Sequence, residues 1–453
     1  MSTNISLCMI VRDEEKSLPL CLNSVKDVAD QIVIVDTGSL DKTIKIARSF
    51  GAEVYNYEWS DHFAKARNES IKYAKGEWIL WMDADETLDQ SSISELKQIT
   101  GNNNKNYFYS IKISSKNEFE NKVTYSDAHR LFPNGLDIQF ENRIHEQIYN
   151  SAIDAGLKEV ISEMHIIHEG YNLSAEEYRK KLIRNLPILE KMVKEKKDYA
   201  YAHYTLAQNY SGLKYHEKAI DHFKIAIKSG NLNRHLHVSA LNVLAQTFSF
   251  LGNWEKAEQS SRRSIELEPI QSGGYYMLYK CSENKKDYRL SIEYLTKLLE
   301  NTKRMNSSNE MVRNDKLISE QKILKTIANT YIKVGNYHKA LESFIQLDGK
   351  EFSKSILGKI IEISSKLQEW NKLIQILIKY IDDNKEVDLD IYDILGQSYI
   401  KTNQLNKALN LYLKVDKNYG ADITILKRIS ALYAKKGNRE KAEKYILKLN
   451  SLL

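Results

Sequence analysis

Up to about residue 170 the chain alternates short apolar runs with amphipathic stretches. Ile5–Val11, Gln31–Asp36, Glu53–Tyr57 and Trp78–Met82 have strand length and are rich in β-branched and aromatic residues. Between them, Lys16–Val25, Lys42–Phe50 and Phe63–Ala74 show helical spacing. Strands that alternate with helices predict a parallel sheet covered on both faces, and in such sheets ligands bind beyond the carboxyl ends of the strands. Asp36 and Asp83 stand at two of those ends.

After Ser174 the pattern is helical almost throughout, with Pro187 and Pro269 as breakers. Ala175–Lys197 reads as one connecting helix, and a repeat follows it. A small or tightly packing residue recurs at Ala207, Ala245, Tyr279, Ala328, Ile361, Gly396 and Ser430. Twelve positions after each stand Ala219, Ala257, Ser291, Ala340, Leu373, Ala408 and Ala442. The spacing between repeats stays near the 34-residue tetratricopeptide period, with one interval of 49 residues between Tyr279 and Ala328. Small residues at paired positions let two helices cross closely, and Tyr210, Phe248, Tyr331, Tyr399 and Tyr433 fill the space beside the crossing. Gly252, Gly335 and Gly437, each followed by Asn, fall where left-handed helix ends are expected. The pattern is most regular at 207, 245, 328, 396 and 430, whereas Tyr279 and Ile361 put larger side chains at the crossing.

Composition narrows the class. The 453 residues are 42% hydrophobic and 28% charged, as in ordinary globular proteins. A net charge of +6, from 66 basic and 60 acidic residues, is too diffuse for a nucleic-acid surface. No run reaches the roughly 18 apolar residues of a membrane span. The first residues lack a basic leader, and the three cysteines, Cys8, Cys21 and Cys281, have no metal-ligand spacing. A reducing, cytoplasmic setting without stable membrane insertion is expected.

The chemistry lies in the first region. Asp36 ends a buried run, where a carboxylate needs either a ligand or donors from the chain, and a nucleoside supplies hydroxyl and N–H groups. Asp41, at a helix start, reads as an N-cap. In Trp81-Met82-Asp83-Ala84-Asp85-Glu86 two carboxylates flank one small residue just past a strand. This is an oxygen-ligand arrangement suited to Mg²⁺ or Mn²⁺ on a diphosphate. Lys65 and Arg67 offer charge to that diphosphate, and a guanidinium can fork two oxygens.

The ordered stretches MIVRDEEKSL, IVIVDTGSLDKT, FAKARN and WILWMDADE, between Ile5 and Asp89, resemble the family 2 glycosyltransferases. The resemblance implies an α/β GT-A nucleotide-sugar domain over residues 1–173, a connecting helix over 174–197 and all-α tetratricopeptide-like repeats over 198–453. It implies that Val11, Asp36, Arg67, Asp83, Ala84 and Arg130 bind the nucleotide sugar, and that Asp85 and His168 hold the metal, Mg²⁺ or Mn²⁺. Asp13 stands where Asn is usual, and Leu40 where Thr or Ser is usual. Ser126–Phe132 and Asn142-Arg143-Ile144-His145-Glu146 match the acceptor half. There Glu146, with His145 as the other candidate, would act as the base of an inverting transfer. His165–Tyr171 resembles the stretch that ends such domains.

Taken with the helical tail, the whole chain resembles the peptide S-glycosyltransferases of the sublancin and thurandacin kind, which glycosylate a cysteine of a bacteriocin precursor. That likeness implies a UDP-hexose donor, a peptide acceptor held by the repeats, and a homodimer made through the tail. Two other readings stay open: a glycosyltransferase for a lipid-linked or cell-wall glycan, and a repeat scaffold without catalysis. The first would need basic amphipathic segments for membrane contact. The second would not need Asp36, Asp83 and Asp85.

Overall fold

The computed structural model describes residues 5–102, 104–117, 122–168, 174–195, 199–307, 318–420 and 422–452. The expected strands form as β1 (Ile5–Val11), β2 (Gln31–Asp36), β3 (Glu53–Asn56) and β4 (Trp78–Trp81). They lie parallel in the order β3-β2-β1-β4, with Val11 level with Asp36. The helices between them are α1 (Leu18–Val25), α2 (Thr43–Ser49) and α3 (Phe63–Lys72).

Alternate residues of these strands feed two cores. Leu7, Met9, Ile34 and Leu80 pack with Leu18 and Leu22 of α1 on one face. Cys8, Val33, Ile79 and Trp81 pack with Ala64 of α3 on the other. Burial on both faces explains why these strands read as continuous apolar runs rather than as alternating ones.

The sheet does not stay parallel. Beyond β4 it continues through β5 (Glu86–Leu88), β6 (Tyr107–Asn117), β7 (Lys122–Pro133) and β8 (Lys158–His168), with α4 (Ser92–Gly101) and α5 (Tyr149–Asp154) between them. The full order is β3-β2-β1-β4-β7-β6-β8-β5. Strand β7 runs antiparallel to both β4 and β6, β8 runs parallel to β6, and β5 is antiparallel to β8. The parallel sheet expected from the alternating elements thus forms over β3-β2-β1-β4, and the later strands extend it into a mixed sheet.

The chain separates into two compact units, one reaching Asn253 and one beginning at Trp254. In the first, α6 (Ala175–Glu195), α7 (Ala200–Gly212), α8 (His216–Lys228) and α9 (Arg234–Phe250) follow the sheet. Pro187 sits inside α6 without ending it, contrary to its reading as a breaker. Residues 196 and 197 of the expected connecting helix, and Glu169 to Tyr171, lie outside the described residues.

The second unit holds α10 (Trp254–Leu267), α11 (Gly273–Asn284), α12 (Tyr288–Ser307), α13 (Glu320–Lys333), α14 (Tyr337–Ile345), α15 (Lys354–Leu367), α16 (Trp370–Asp383), α17 (Leu389–Lys401), α18 (Leu405–Tyr419), α19 (Ile423–Lys435) and α20 (Arg439–Asn450). The repeat positions Ala257, Ala328, Ala340 and Ala408 are fully enclosed. At α11 and α12, where Tyr279 replaces a small residue, the buried Ser282 and Ser291 hydroxyls meet at 2.9 Å. Left-handed backbone closes the hairpins at Gly335 (φ 74°) and Gly437 (φ 78°), and also at Lys286 (φ 59°), Gln368 (φ 57°) and Asn403 (φ 59°). The turn geometry is thus common to repeats that lack the glycine.

Two glycines of this unit make opposite forecasts. A Cβ added at Gly396 would come 2.2 Å from the ring of Tyr412, a fully buried side chain whose hydroxyl donates to Asp393 at 2.9 Å. Gly396→Ala is expected to cost about 1–3 kcal/mol by overpacking. A Cβ at Gly358, exposed within α15, meets nothing within 4 Å. Gly358→Ala should stabilise by up to about 1 kcal/mol through helix propensity. Urea midpoints of the two variants check the contrast, and equal shifts would contradict it.

Candidate active site

The first half of the site is two laced loops. Asp36 is 3% exposed, and its carboxylate accepts from Gly38 N at 3.0 Å and Ser39 N at 3.1 Å. The donors that a buried acid requires therefore come from its own turn, in which Gly38 adopts φ 108°. Thr37 donates its N–H and its hydroxyl to the Val11 carbonyl, both at 3.0 Å, which joins the ends of β1 and β2. Asp13 accepts from Leu40 N at 2.7 Å and donates its own N–H to Ser39 Oγ at 3.0 Å. Asp41 accepts from Thr43 N at 2.9 Å and from Glu15 N at 3.0 Å, a lacing role; the N-cap position of α2 falls one residue on, at Lys42, rather than at Asp41 as expected. Leu40, at the tip of the turn, is 94% exposed.

The second half is the turn after β4. Arg67, on α3, is buried and reaches both halves of the acidic set. Its Nη2 donates to Asp83 Oδ1 at 2.6 Å and its Nε to Glu146 Oε1 at 2.5 Å. Arg130, on β7, donates to Glu86 Oε1 at 2.6 Å and stands 3.7 Å from Asp83. Both guanidinium groups lie over Trp81, at 4.2 Å for Arg67 and 3.5 Å for Arg130. Burial would raise the Asp83 carboxyl, but the charges of Arg67 and Arg130 prevail and hold it well below the usual carboxylate range. Burial pushes Glu86 upward against the pull of Arg130.

The guanidinium groups are not saturated. Arg67 Nη1, Arg130 Nη1 and Arg130 Nε are buried and find no hydrogen-bond partner among the described residues. Buried donors without acceptors are costly, and an anionic ligand would supply what they lack. Ala84 is buried in the turn, while Asp83 and Asp85 each keep 35% of their side-chain surface exposed. The acids therefore face an opening rather than the core. Lys65 is exposed on α3 and takes no part in this cluster.

Asp85 Oδ2 lies 3.1 Å from His168 Nε2, at the end of β8, so two residues 83 positions apart meet. Burial would lower the His168 pKa, but the bond to Asp85 raises it overall. No three His, Cys, Asp or Glu side chains form a metal cage among the described residues. The donor set is a carboxylate and an imidazole, which suits a cation that takes its remaining oxygens from a diphosphate and water.

Glu146 and His145 sit on a loop whose foot is the Glu141–Gln147 bridge. Phe63 N donates to the Arg143 carbonyl at 2.7 Å, which ties the loop to the start of α3. His145 keeps exposed surface, and the protein around it lowers its imidazole pKa. Glu146 is half-buried, with one oxygen engaged by Arg67.

Two residues of the cluster had not been singled out. Glu86 accepts from Asp83 N at 2.9 Å and so shapes the turn that presents the acids. Trp81 is the platform beneath both arginines. Glu86 was visible only as one more acid in the run, and Trp81 as strand interior.

Residues 6–164 match the model of Glycosyl transferase family 2, and residues 238–271 match a tetratricopeptide repeat model. The chain carries a family 2 glycosyltransferase domain followed by a tetratricopeptide-repeat region. Among its relatives is the TPR repeat-containing protein Synpcc7942_0270 of Synechococcus elongatus, 41% identical over 33% of this chain and 36% of that protein. The SPbeta prophage-derived glycosyltransferase SunS of Bacillus subtilis is 30% identical over 53% of this chain and 57% of that protein. The chain thus spans about a third to just over half the length of the curated relatives it matches. The crystal structure of S. aureus TarS 1-349 in complex with UDP covers 57% of this chain and 91% of that chain at 14% identity. Its TM-score is 0.33, too slight a likeness to argue from.

Proposed function

We propose that the protein is an inverting, UDP-sugar-dependent hexosyltransferase whose acceptor is a peptide side chain, most specifically a cysteine thiol. The observation that carries this reading is Arg67, which joins the donor-side Asp83 to the acceptor-side Glu146 while keeping one buried N–H without a partner. A site that gathers both motif halves around unsaturated cations suits a substrate with a diphosphate on one side and a nucleophile on the other. The peptide acceptor is supported by the likeness to SunS, which extends past the α/β domain into the helices.

In this mechanism the turn of Asp36 and the end of β1 at Val11 receive the nucleoside, and Arg67 and Arg130 neutralise the diphosphate. Asp85 and His168 would hold Mg²⁺ or Mn²⁺, which when bound supplies positive charge to the departing phosphate oxygens. The thiol sulfur attacks the anomeric carbon from the face opposite the diphosphate. The carbon–oxygen bond breaks with its electrons leaving on UDP, and Glu146 receives the thiol proton before passing it to water. A thiol near pKa 8.5 asks little of that base, unlike a hydroxyl.

Among the described residues no helix is long and apolar enough to cross a membrane. A cytoplasmic location and a homodimer made through the repeats belong to the same reading.

The test offers a peptide with one loop cysteine, its Cys→Ser variant and several UDP-hexoses, with products weighed by mass spectrometry. Addition of a hexose to the cysteine form, with the serine form slower or inert, is expected. Modification of a lipid or glycan extract, with every peptide left untouched, would remove the peptide reading and keep the broader transferase reading.

A further inference from the structure

Two non-glycine residues of the Glu141–Gln147 loop hold left-handed backbone, Asn142 at φ 77° and His145 at φ 55°. Such positions cost about 1 kcal/mol or more each and persist where the surroundings over-determine them. Here the two strained positions are tied to the start of α7. The Asn142 side chain lies beside that of Tyr199, the residue that precedes α7. The Tyr201 hydroxyl donates to the His145 carbonyl at 3.3 Å and accepts from Gln147 Nε2 at 3.2 Å.

One hydroxyl therefore grips the chain on both sides of Glu146. Between the two tyrosine contacts, Arg143 lays its guanidinium on Glu195 of α6 at 2.5 and 2.7 Å. The rings are themselves placed by neighbours, Tyr201 lying 6.0 Å from Tyr199 and 6.3 Å from Tyr204. Burial pushes the Tyr201 phenol up, so the hydroxyl keeps the proton it donates.

We propose that Tyr199 and Tyr201 are positioning residues of the transferase, holding the strained loop in the one backbone conformation that presents Glu146 to the acceptor. The inference rests on the role given to Glu146 above. It makes the first repeat helix part of the catalytic apparatus, so that removing the tail at residue 197 would loosen the loop as well as forfeit acceptor contacts.

The test uses the full chain and the variants Tyr199→Phe and Tyr201→Phe, which keep the rings and remove only the hydroxyls. Tyr204→Phe is the control, because it loses bonds to Ser239 at 2.9 Å and Gln208 at 2.7 Å within the helices and keeps its ring. Hydrogen exchange and steady-state kinetics are read together. In Tyr201→Phe, exchange over residues 141–147 should rise about tenfold or more, with the sheet unchanged. Its kcat on the cysteine peptide should fall about 10–100-fold with the donor KM unaltered, as misplacement of a reacting group predicts. Tyr199→Phe should shift both in the same direction, and the control should shift neither. Unchanged loop exchange, or faster exchange with unchanged kcat, would overturn the inference. Should the wild-type protein transfer no sugar at all, the functional reading falls, and with it the catalytic role of the tyrosines. The exchange data would then still decide whether they hold the loop.

Discussion

Replacing Arg67 by methionine is expected to lower turnover about 100-fold or more and to destabilise the first unit by about 3–5 kcal/mol. The size follows from what the guanidinium does. It is buried, and it bonds Asp83 at 2.6 Å and Glu146 at 2.5 Å. Without it Glu146 loses the cation that engages it and Asp83 is left with Arg130 at 3.7 Å, and stripping one partner from a buried ion pair is the expensive way to break it. Lysine would restore a charge but not the fork, so Arg67→Lys should recover part of the stability and little of the turnover. The triple change Arg67→Met, Asp83→Asn, Glu146→Gln removes the charges together. It should regain stability without activity, which separates the electrostatic cause from simple loss of packing. Urea unfolding and single-turnover rates are the measurements. Wild-type values for Arg67→Met would show that the cluster organises neither fold nor site.

Asp85→Ala should have the opposite profile, with an intact fold and a lost reaction. Its side chain is about a third exposed and its recorded partner is His168, so stability should move by about 1 kcal/mol at most. Turnover should fall about 1,000-fold, because each 1.36 kcal/mol of lost charge stabilisation in the transition state is tenfold in rate and a bound metal supplies several. Chelation of the wild-type protein should reproduce the loss, and added Mn²⁺ should reverse the chelation but not the substitution. Near-normal turnover of Asp85→Ala at saturating Mn²⁺ would refute the metal assignment.

Much of the architecture was legible along the chain because burial on both faces leaves an apolar run. The strands β1, β2 and β4 come from such runs, each with an acid at or just past its end. The repeats were legible for an equally local reason: helices cross closely only where side chains are small, so Ala207, Ala245 and Ala328 recur at the first crossing position and Ala219, Ala257 and Ala340 twelve residues after them. The left-handed turns at Lys286 and Gln368 were not legible, since those residue types do not announce the conformation. Strands β6 to β8 escaped as well. Ser110, Lys112, Ser114 and Ser115 interrupt the apolar positions of β6, and the partners of each strand lie far away in sequence.

Residue types told what the site could contain, and the tertiary structure decided who meets whom. Asp36 called for donors, and only the folded turn showed that Gly38 and Ser39 provide them. Arg67 could have forked any of several acids. The placement of the 141–147 loop against α3 gives it Asp83, 16 positions on, and Glu146, 79 positions on. Arg130 reaches Glu86 and Trp81 because β7 enters the sheet beside β4. Tyr201 of α7 meets the strained loop more than 50 residues earlier in the chain. Periodicity records how each element buries its own face. Pairings between elements depend on sheet order and on how helices dock, which no single stretch of sequence carries.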